Sequence, residues 1–249
     1  MKAKLKKTIR LFCNEKLSLK KIIILDQKDS HYLKNVMRCK ENDNIILFNE
    51  KDGEYLTEIV DIRKNEMTLK VIQKRSNKET INDNYLVFSL VKKNKIDFII
   101  QKATELGIRK IFPILTDRSS LRDINIKRLE NIAKEASEQS NRISIPEINK
   151  LLTLEALIKG WNKKRSILYA DESLKKNKNI TMLYQKNFVK SSLLIGPEGG
   201  FSVKENEMLK TNKFIFPISF GHTLLRSETA TIVGLSYLNL ICSSYKIIY

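Results

Sequence analysis

Glu198, Arg226 and Glu228 are the charged residues whose surroundings suggest chemistry. Glu198 stands in Gly196-Pro197-Glu198-Gly199-Gly200, directly after the apolar run Ser192-Leu193-Leu194-Ile195. Arg226 and Glu228 stand in Gly221-His222-Thr223-Leu224-Leu225-Arg226-Ser227-Glu228-Thr229-Ala230, directly after the strand-like run Phe214 to Phe220. Glycine admits backbone conformations closed to other residues and lets main chain approach a ligand closely, while Pro197 fixes one turn. Ser227 or Thr229 can cap the helix that continues to about Ser243, with Glu228 near its positive end. Open α/β sheets build ligand crevices where strands end in such loops. A tight structural turn explains one glycine loop equally well. Two loops with an embedded arginine and two glutamates point to a site.

Other chemistries lack their residues. No GxGxxG follows a strand and no GxxxxGK[ST] is present, which removes the dinucleotide fingerprint and the P-loop. There is no GxSxG elbow, and the two histidines, His31 and His222, lie too far apart in sequence to suggest a triad. No His, Cys and carboxylate grouping has metal spacing, so no metal is expected. Cys13, Cys39 and Cys242 are odd in number and form no CxxC, which fits a reducing cytoplasm better than a disulfide framework.

The 249 residues suffice for one large domain or two ordinary ones, and 42% hydrophobic residues can bury a core. No apolar run approaches the roughly 20 residues of a membrane span, and no signal-peptide core follows the basic N-terminus. Lys+Arg 46 against Asp+Glu 28 gives a net charge of +18. Such an excess suits a polyanion partner, most readily nucleic acid. Much of the basic excess is lysine in a chain rich in Ile and Asn, a pattern that coding bias also produces.

Residues 8 to about 74 read as β-rich. Ile22–Leu25, Asn44–Asn49, Glu54–Ile62 and Met67–Gln73 are strand-like, Asp52-Gly53 is a hairpin turn, and a short helix over Asp29–Lys34 is capped by Asp29 or Ser30. This pattern suggests a small barrel. Residues 75–84 are polar and read as a linker. Strands and helices then alternate: a strand over Tyr85–Val91, a helix over Ile96–Leu106 stopped by Gly107, a strand over Lys110–Leu115, a helix over Ile124–Asn141, and a strand over Ser166–Ala170. Alternation of this kind predicts a mostly parallel sheet covered on both faces. The predicted domains are 1–76 and 77–249.

Four segments resemble one family. Gln101 to Gly107, running on to Pro113 and Asp117-Arg118-Ser119, is similar to a KATELG…P…ERS segment. Glu138-Gln139-Ser140-Asn141-Arg142 with Pro146 is similar to an EQS-R…P segment. Ile195 to Phe201 reproduces an IGPEGGF loop, and Gly221 to Ala230 is similar to G-x-R-x-L-R-T-E-T-A. Arg10-x-Phe12 and the stretch from His31 to Arg38 are similar to the same family's N-terminal barrel. The chain thus resembles the ribosomal RNA small subunit methyltransferase E family, uridine-N3 methyltransferases of the SPOUT superfamily. One departure stands out: the chain has Thr223 where the family commonly has an arginine two residues after the loop glycine.

The resemblance implies an α/β fold, with a C-terminal SPOUT trefoil-knot domain beside a small PUA-like β-barrel that binds RNA. It implies a cytoplasmic homodimer that uses S-adenosylmethionine on small-subunit ribosomal RNA or the 30S subunit. Cofactor contacts are expected from Leu194, Ile195, Gly196, Gly199, Gly200, Phe220, Gly221, Leu224, Leu225 and Thr229. Arg226 is expected to stabilise charge on the uracil oxygens, with Glu198 or Glu228 accepting the N3 proton. Arg10, Arg38, Arg118 and Arg142 are expected to meet RNA. Two other readings use the same residues: a non-catalytic RNA-binding or ribosome-assembly factor, and an enzyme acting on another nucleotide or a ribose 2′-OH.

Overall fold

The computed structural model of the protein describes residues 9–76, 83–171, 174 and 190–244. The basic N-terminal residues Lys2 to Lys7 and most of the expected linker, 77–82, lie outside the described residues, as does the side chain of Cys242. The described residues form two compact units.

The first unit holds residues 9–76 together with Ser137–Ser144. Its sheet contains β1 (Ile9–Phe12), β2 (Ile22–Leu25), β3 (Asn44–Asn49), β4 (Gly53–Ile62) and β5 (Met67–Ser76), in the order β1-β3-β4-β5-β2. β1 runs parallel to β3, and the remaining pairs are antiparallel. Alternation along β4 buries Tyr55, Thr57 and Ile59 while the residues between them face outward. With Leu11, Leu33, Ile45, Leu47 and Leu69, this face forms the barrel core. The short helix α1 (Gln27–His31) begins earlier than predicted. Asp26, not Asp29 or Ser30, caps it by accepting a hydrogen bond from Asp29 N at 2.8 Å. The strand β5 continues through Ser76, two residues into the stretch expected to be linker.

Ser137–Ser144, which the sequence placed in the second domain, completes this unit through Arg10. The Arg10 guanidinium donates to Glu54 Oε2 at 2.8 and 3.0 Å, and to the carbonyls of Ser137, Glu138 and Arg142 at 3.0–3.2 Å. It also stacks 4.3 Å over Phe48, and Phe12 N donates to Glu138 Oε1 at 3.1 Å. A buried guanidinium persists only when its donors are matched in this way. Arg10 and Arg142 are 8% and 4% exposed, so both are interior groups, not members of an RNA-facing surface.

The second unit is built on a parallel sheet. Its strands are β6 (Tyr85–Ser89), β7 (Lys110–Leu115), β8 (Glu147–Ile148), β9 (Leu152–Thr153), β10 (Ser166–Ala170), β11 (Ser191–Ile195) and β12 (Ile215–Ile218). Their order is β12-β10-β11-β6-β7-β8, with β9 also paired to β7, and every pair is parallel. The helices are α2 (Lys93–Glu105), α3 (Ile126–Gln139), α4 (Leu154–Gly160), α5 (Val203–Thr211) and α6 (Ser227–Ser244). Two apolar layers cover the sheet. Leu193 and Ile195 join the layer of α2, α3 and α6, while Leu194 joins Tyr169, Trp161 and Phe201 on the opposite face. Because both faces are covered, every residue of β11 is buried, and its last three, Leu193 to Ile195, are apolar without alternation.

After the edge strand β12, the chain returns so that α6 packs on β11 and α2. Gly234 makes that approach possible. A Cβ built there would lie 2.6 Å from Leu193 Cδ2 and 2.8 Å from Phe220 Cζ.

Candidate active site

The parallel strands β6, β10, β11 and β12 all end at the same edge of the sheet, and four segments leave that edge around one cleft. They are Lys92 to Lys95 after β6, Asp171 after β10, Gly196 to Phe201 after β11 and Ser219 to Ser227 after β12. Both glycine loops singled out in the sequence are walls of this cleft.

Local hydrogen bonds shape the first loop. Gly200 N donates to Pro197 O at 2.9 Å, closing a turn that leaves Gly200 at φ 69. Ser202 then caps α5 in a capping box with Glu205. The second oxygen of Glu205 accepts from Asp117 N at 2.9 Å, which ties this loop to the Asp117-Arg118-Ser119 segment. Ser119 is held in turn by a buried hydroxyl cluster, lying 2.9 Å from both Ser89 Oγ and Thr116 Oγ1. Arg118, fixed from behind, donates through Nη1 to Gly199 O at 2.6 Å. In the second loop Gly221 adopts φ 117, open in practice only to glycine, and Leu224 is 78% exposed at the cleft margin.

The charges are concentrated on one side. Lys95 on α2 donates through Nζ to Glu198 Oε1, and Nζ lies 3.6 Å from Glu228 Oε2. That Glu228 oxygen is buried and accepts no hydrogen bond among the described residues. Hydrogen bonding to Lys95 holds the Glu198 carboxyl below the usual carboxylate range, and the same bond holds the ammonium above the usual lysine range. Arg226 is exposed and close enough to act electrostatically on both. Across the cleft the Tyr169 hydroxyl donates to Asp171 Oδ2 at 3.2 Å, and burial, aided by Asp171, pushes the phenol well up. Among the described residues there is no grouping able to hold a metal ion, and no helix is long and apolar enough to cross a membrane.

Residues 77–239 match the family described as RNA methyltransferase domain, and residues 25–72 match the RNA methyltransferase PUA domain. A Rickettsia conorii protein named Ribosomal RNA small subunit methyltransferase E is 35% identical over 237 residues, covering 94% of this chain and 96% of its own. The chain belongs to the ribosomal RNA small subunit methyltransferase E family. A Bacillus subtilis relative of the same name is 33% identical over 221 residues, covering 84% of this chain and 86% of its own. The crystal structure of a Neisseria gonorrhoeae family member bound to S-adenosyl methionine superposes with a TM-score of 0.83 at 22% identity, covering 94% of this chain and 98% of the other. A Legionella pneumophila methyltransferase structure in complex with the same cofactor gives 0.80 at 23% identity, covering 94% and 98%. The fold is therefore the α/β SPOUT methyltransferase fold with an N-terminal PUA-like barrel.

Most of the residues expected from the family motifs meet at the cleft. Ile195, Gly196, Glu198, Gly199, Gly200, Phe220, Gly221, Leu224, Leu225 and Arg226 all line it. Three do not. Leu194 is fully buried in the apolar layer one residue short of the strand end. Thr229 is exposed on α6 away from the wall, and Glu228 stands behind Lys95. Of the arginines, Arg118 belongs to the cleft wall and Arg38 is exposed on the barrel. The sequence reading missed Lys95, together with Lys92, Tyr169 and Asp171, which also line the cleft. Their signal was positional: Tyr169 and Asp171 flank the last residue of β10, while Lys92 and Lys95 lie in the segment after β6 and the first turn of α2.

Proposed function

We propose that the protein transfers a methyl group from S-adenosylmethionine to N3 of a uridine in small-subunit ribosomal RNA, and that it does so as a homodimer. The observation that carries this reading is the meeting of the IGPEGGF and LLRSETA loops around one cleft, with Arg226, Glu198 and Lys95 on its charged side.

The cleft suits that cofactor. Ile195, Phe220 and Leu225 offer apolar contact for an adenine ring, and the backbone of Gly196, Gly199, Gly200 and Gly221 offers polar partners without side-chain obstruction. When bound, the cofactor supplies an electrophilic methyl group on a sulfonium. The remaining work falls to the chain. N3 of neutral uridine carries a proton, so a carboxylate must accept it, either Glu198 on the wall or Glu228 behind it. Arg226 faces the same space and stabilises negative charge as it develops on the uracil oxygens. Arg38 and the basic surface hold the RNA backbone, and such binding weakens steeply with salt.

The test uses labelled S-adenosylmethionine with 30S particles and with naked ribosomal RNA, both from a strain lacking the activity, followed by digestion to nucleosides. Label in 3-methyluridine is the expected result. Label in another nucleoside moves the target to a different base or to a ribose, and absence of label together with absence of cofactor binding leaves an RNA-binding factor.

A further inference from the structure

Two carboxylates converge on one ammonium in this site. Glu198 comes from the loop after β11 and Glu228 from the first turn of α6, while Lys95 comes from the first turn of α2. Glu198 thus belongs to one wall and Glu228 to the helix turn directly after the other, and Lys95 lies close to both. Only one of the two contacts is a hydrogen bond. Glu228 Oε2, at 3.6 Å, is buried and interacts with Nζ through charge alone. Like charges brought to one point without a cation repel strongly, the more so with little water between them. Arg226 and Lys92 also face this cluster, but neither is ion-paired to Glu198 or Glu228 among the described residues.

The support of Lys95 is rigid. α2 packs on α6, and Asp97, two residues on, is ion-paired to Arg128 of α3. An ammonium mounted there meets the first glycine loop at Glu198 and the helix turn that ends the second at Glu228.

We propose that Lys95 is a positioning residue that holds the cleft closed by drawing Glu198 and Glu228 together, so that the two glycine-bearing walls keep the spacing the cofactor requires. This rests on the reading that the cleft binds S-adenosylmethionine. Lys95 acts through the two carboxylates and needs no contact with the reacting atoms. Removing its charge leaves two adjacent carboxylates to separate the walls.

The experiment measures S-adenosylmethionine affinity by calorimetry on the full chain, alongside thermal melting. Wild type must bind first, and if it does not, it is the cofactor reading that fails. Lys95→Met is expected to bind at least about tenfold more weakly, because deleting one partner of a close charge pair leaves the other uncompensated. Lys95→Arg, which keeps the charge, is expected to bind within about threefold of wild type, as the pair survives in altered geometry. The deciding variant is Lys95→Met/Glu228→Gln. It removes the repulsion without restoring the lysine, and is expected to regain most of the affinity lost in Lys95→Met. A double variant as weak as Lys95→Met, with both melting like wild type, would overturn the proposal. So would full affinity in Lys95→Met. If Lys95→Met does not fold, Lys95→Gln in the Glu228→Gln background provides the same comparison with both side-chain lengths nearly preserved.

Discussion

Arg118 and Gly199 are joined by a hydrogen bond of 2.6 Å from a guanidinium nitrogen to a backbone carbonyl. The bond spans 81 residues of sequence and fixes the glycine loop from within the cleft wall. A bond to a charged donor contributes about 1.5–3 kcal/mol when shielded, and exposure reduces this one to about 1 kcal/mol. Arg118→Ala should therefore weaken S-adenosylmethionine binding roughly fivefold. Calorimetry checks this, and the melting temperature should barely move.

Gly234→Ala opposes two effects of known size. Alanine is favoured over glycine inside a helix by about 1 kcal/mol. The added Cβ would lie 2.6 Å from Leu193 and 2.8 Å from Phe220, and overpacking of this kind costs about 1–3 kcal/mol. Sterics should win narrowly on stability. Because Phe220 lines the cleft, the larger loss should appear in cofactor affinity, and urea unfolding with calorimetry separates the two.

Glu205 is 6% exposed and satisfies two backbone donors, Asp117 N and Ser202 N. Glu205→Ala strands both and should cost about 2 kcal/mol of stability, within the usual range for an orphaned buried donor. A lower urea midpoint with an unchanged slope is the expected record.

The Lys95–Glu198 pair sets a pH window. The Glu198 carboxyl lies below its ordinary value, so its contribution is complete above about pH 4.3 and is lost as pH falls through the lowered value. The Lys95 ammonium lies above its ordinary value, so its contribution is complete below about pH 10.4 and is lost as pH rises through the raised value. The melting-temperature difference between wild type and Glu198→Gln should therefore be level from about pH 5 to 10 and close at acid pH. Lys92, Glu228 and Arg226 face the same pair and shift the edges of the window without reversing its sign.

Arg226→Ala should leave melting unchanged, since the side chain is exposed. Methyl transfer should fall by about 10²–10³, the usual loss when one donor to a developing negative charge is removed. Single-turnover assays with saturating cofactor measure it.

The sequence disclosed the cleft because glycine loops at strand ends are local features. The parallel sheet was equally plain, as β6, β10 and β11 each carry at least three consecutive apolar residues without polar alternation. Lys95 stayed hidden for a physical reason. The apolar periodicity starts at Ile96, whereas α2 begins at Lys93, so in the sequence the lysine reads as part of a polar loop. Arg10 and Arg142 misled in the opposite direction. The family resemblance put them among the RNA contacts, whereas the distant carbonyls around Arg10 and the burial of Arg142 beside Ser144 make both interior groups. Leu194, a cofactor contact on the family resemblance, is instead fully buried in the apolar layer behind the strand end.

The fit of Ser137–Ser144 around Arg10 bears on how this chain comes off the ribosome. The N-terminal strands emerge early, yet the carbonyls that satisfy Arg10 are not translated until Arg142. At about 5–20 residues per second, the nascent barrel waits roughly 3–14 s with Arg10 still short of these partners. Vectorial synthesis therefore does not finish the first unit before the second has begun. A stop codon after Ser76 would yield a barrel caught permanently in that interval, and a productive fragment would need the 137–144 peptide supplied in trans.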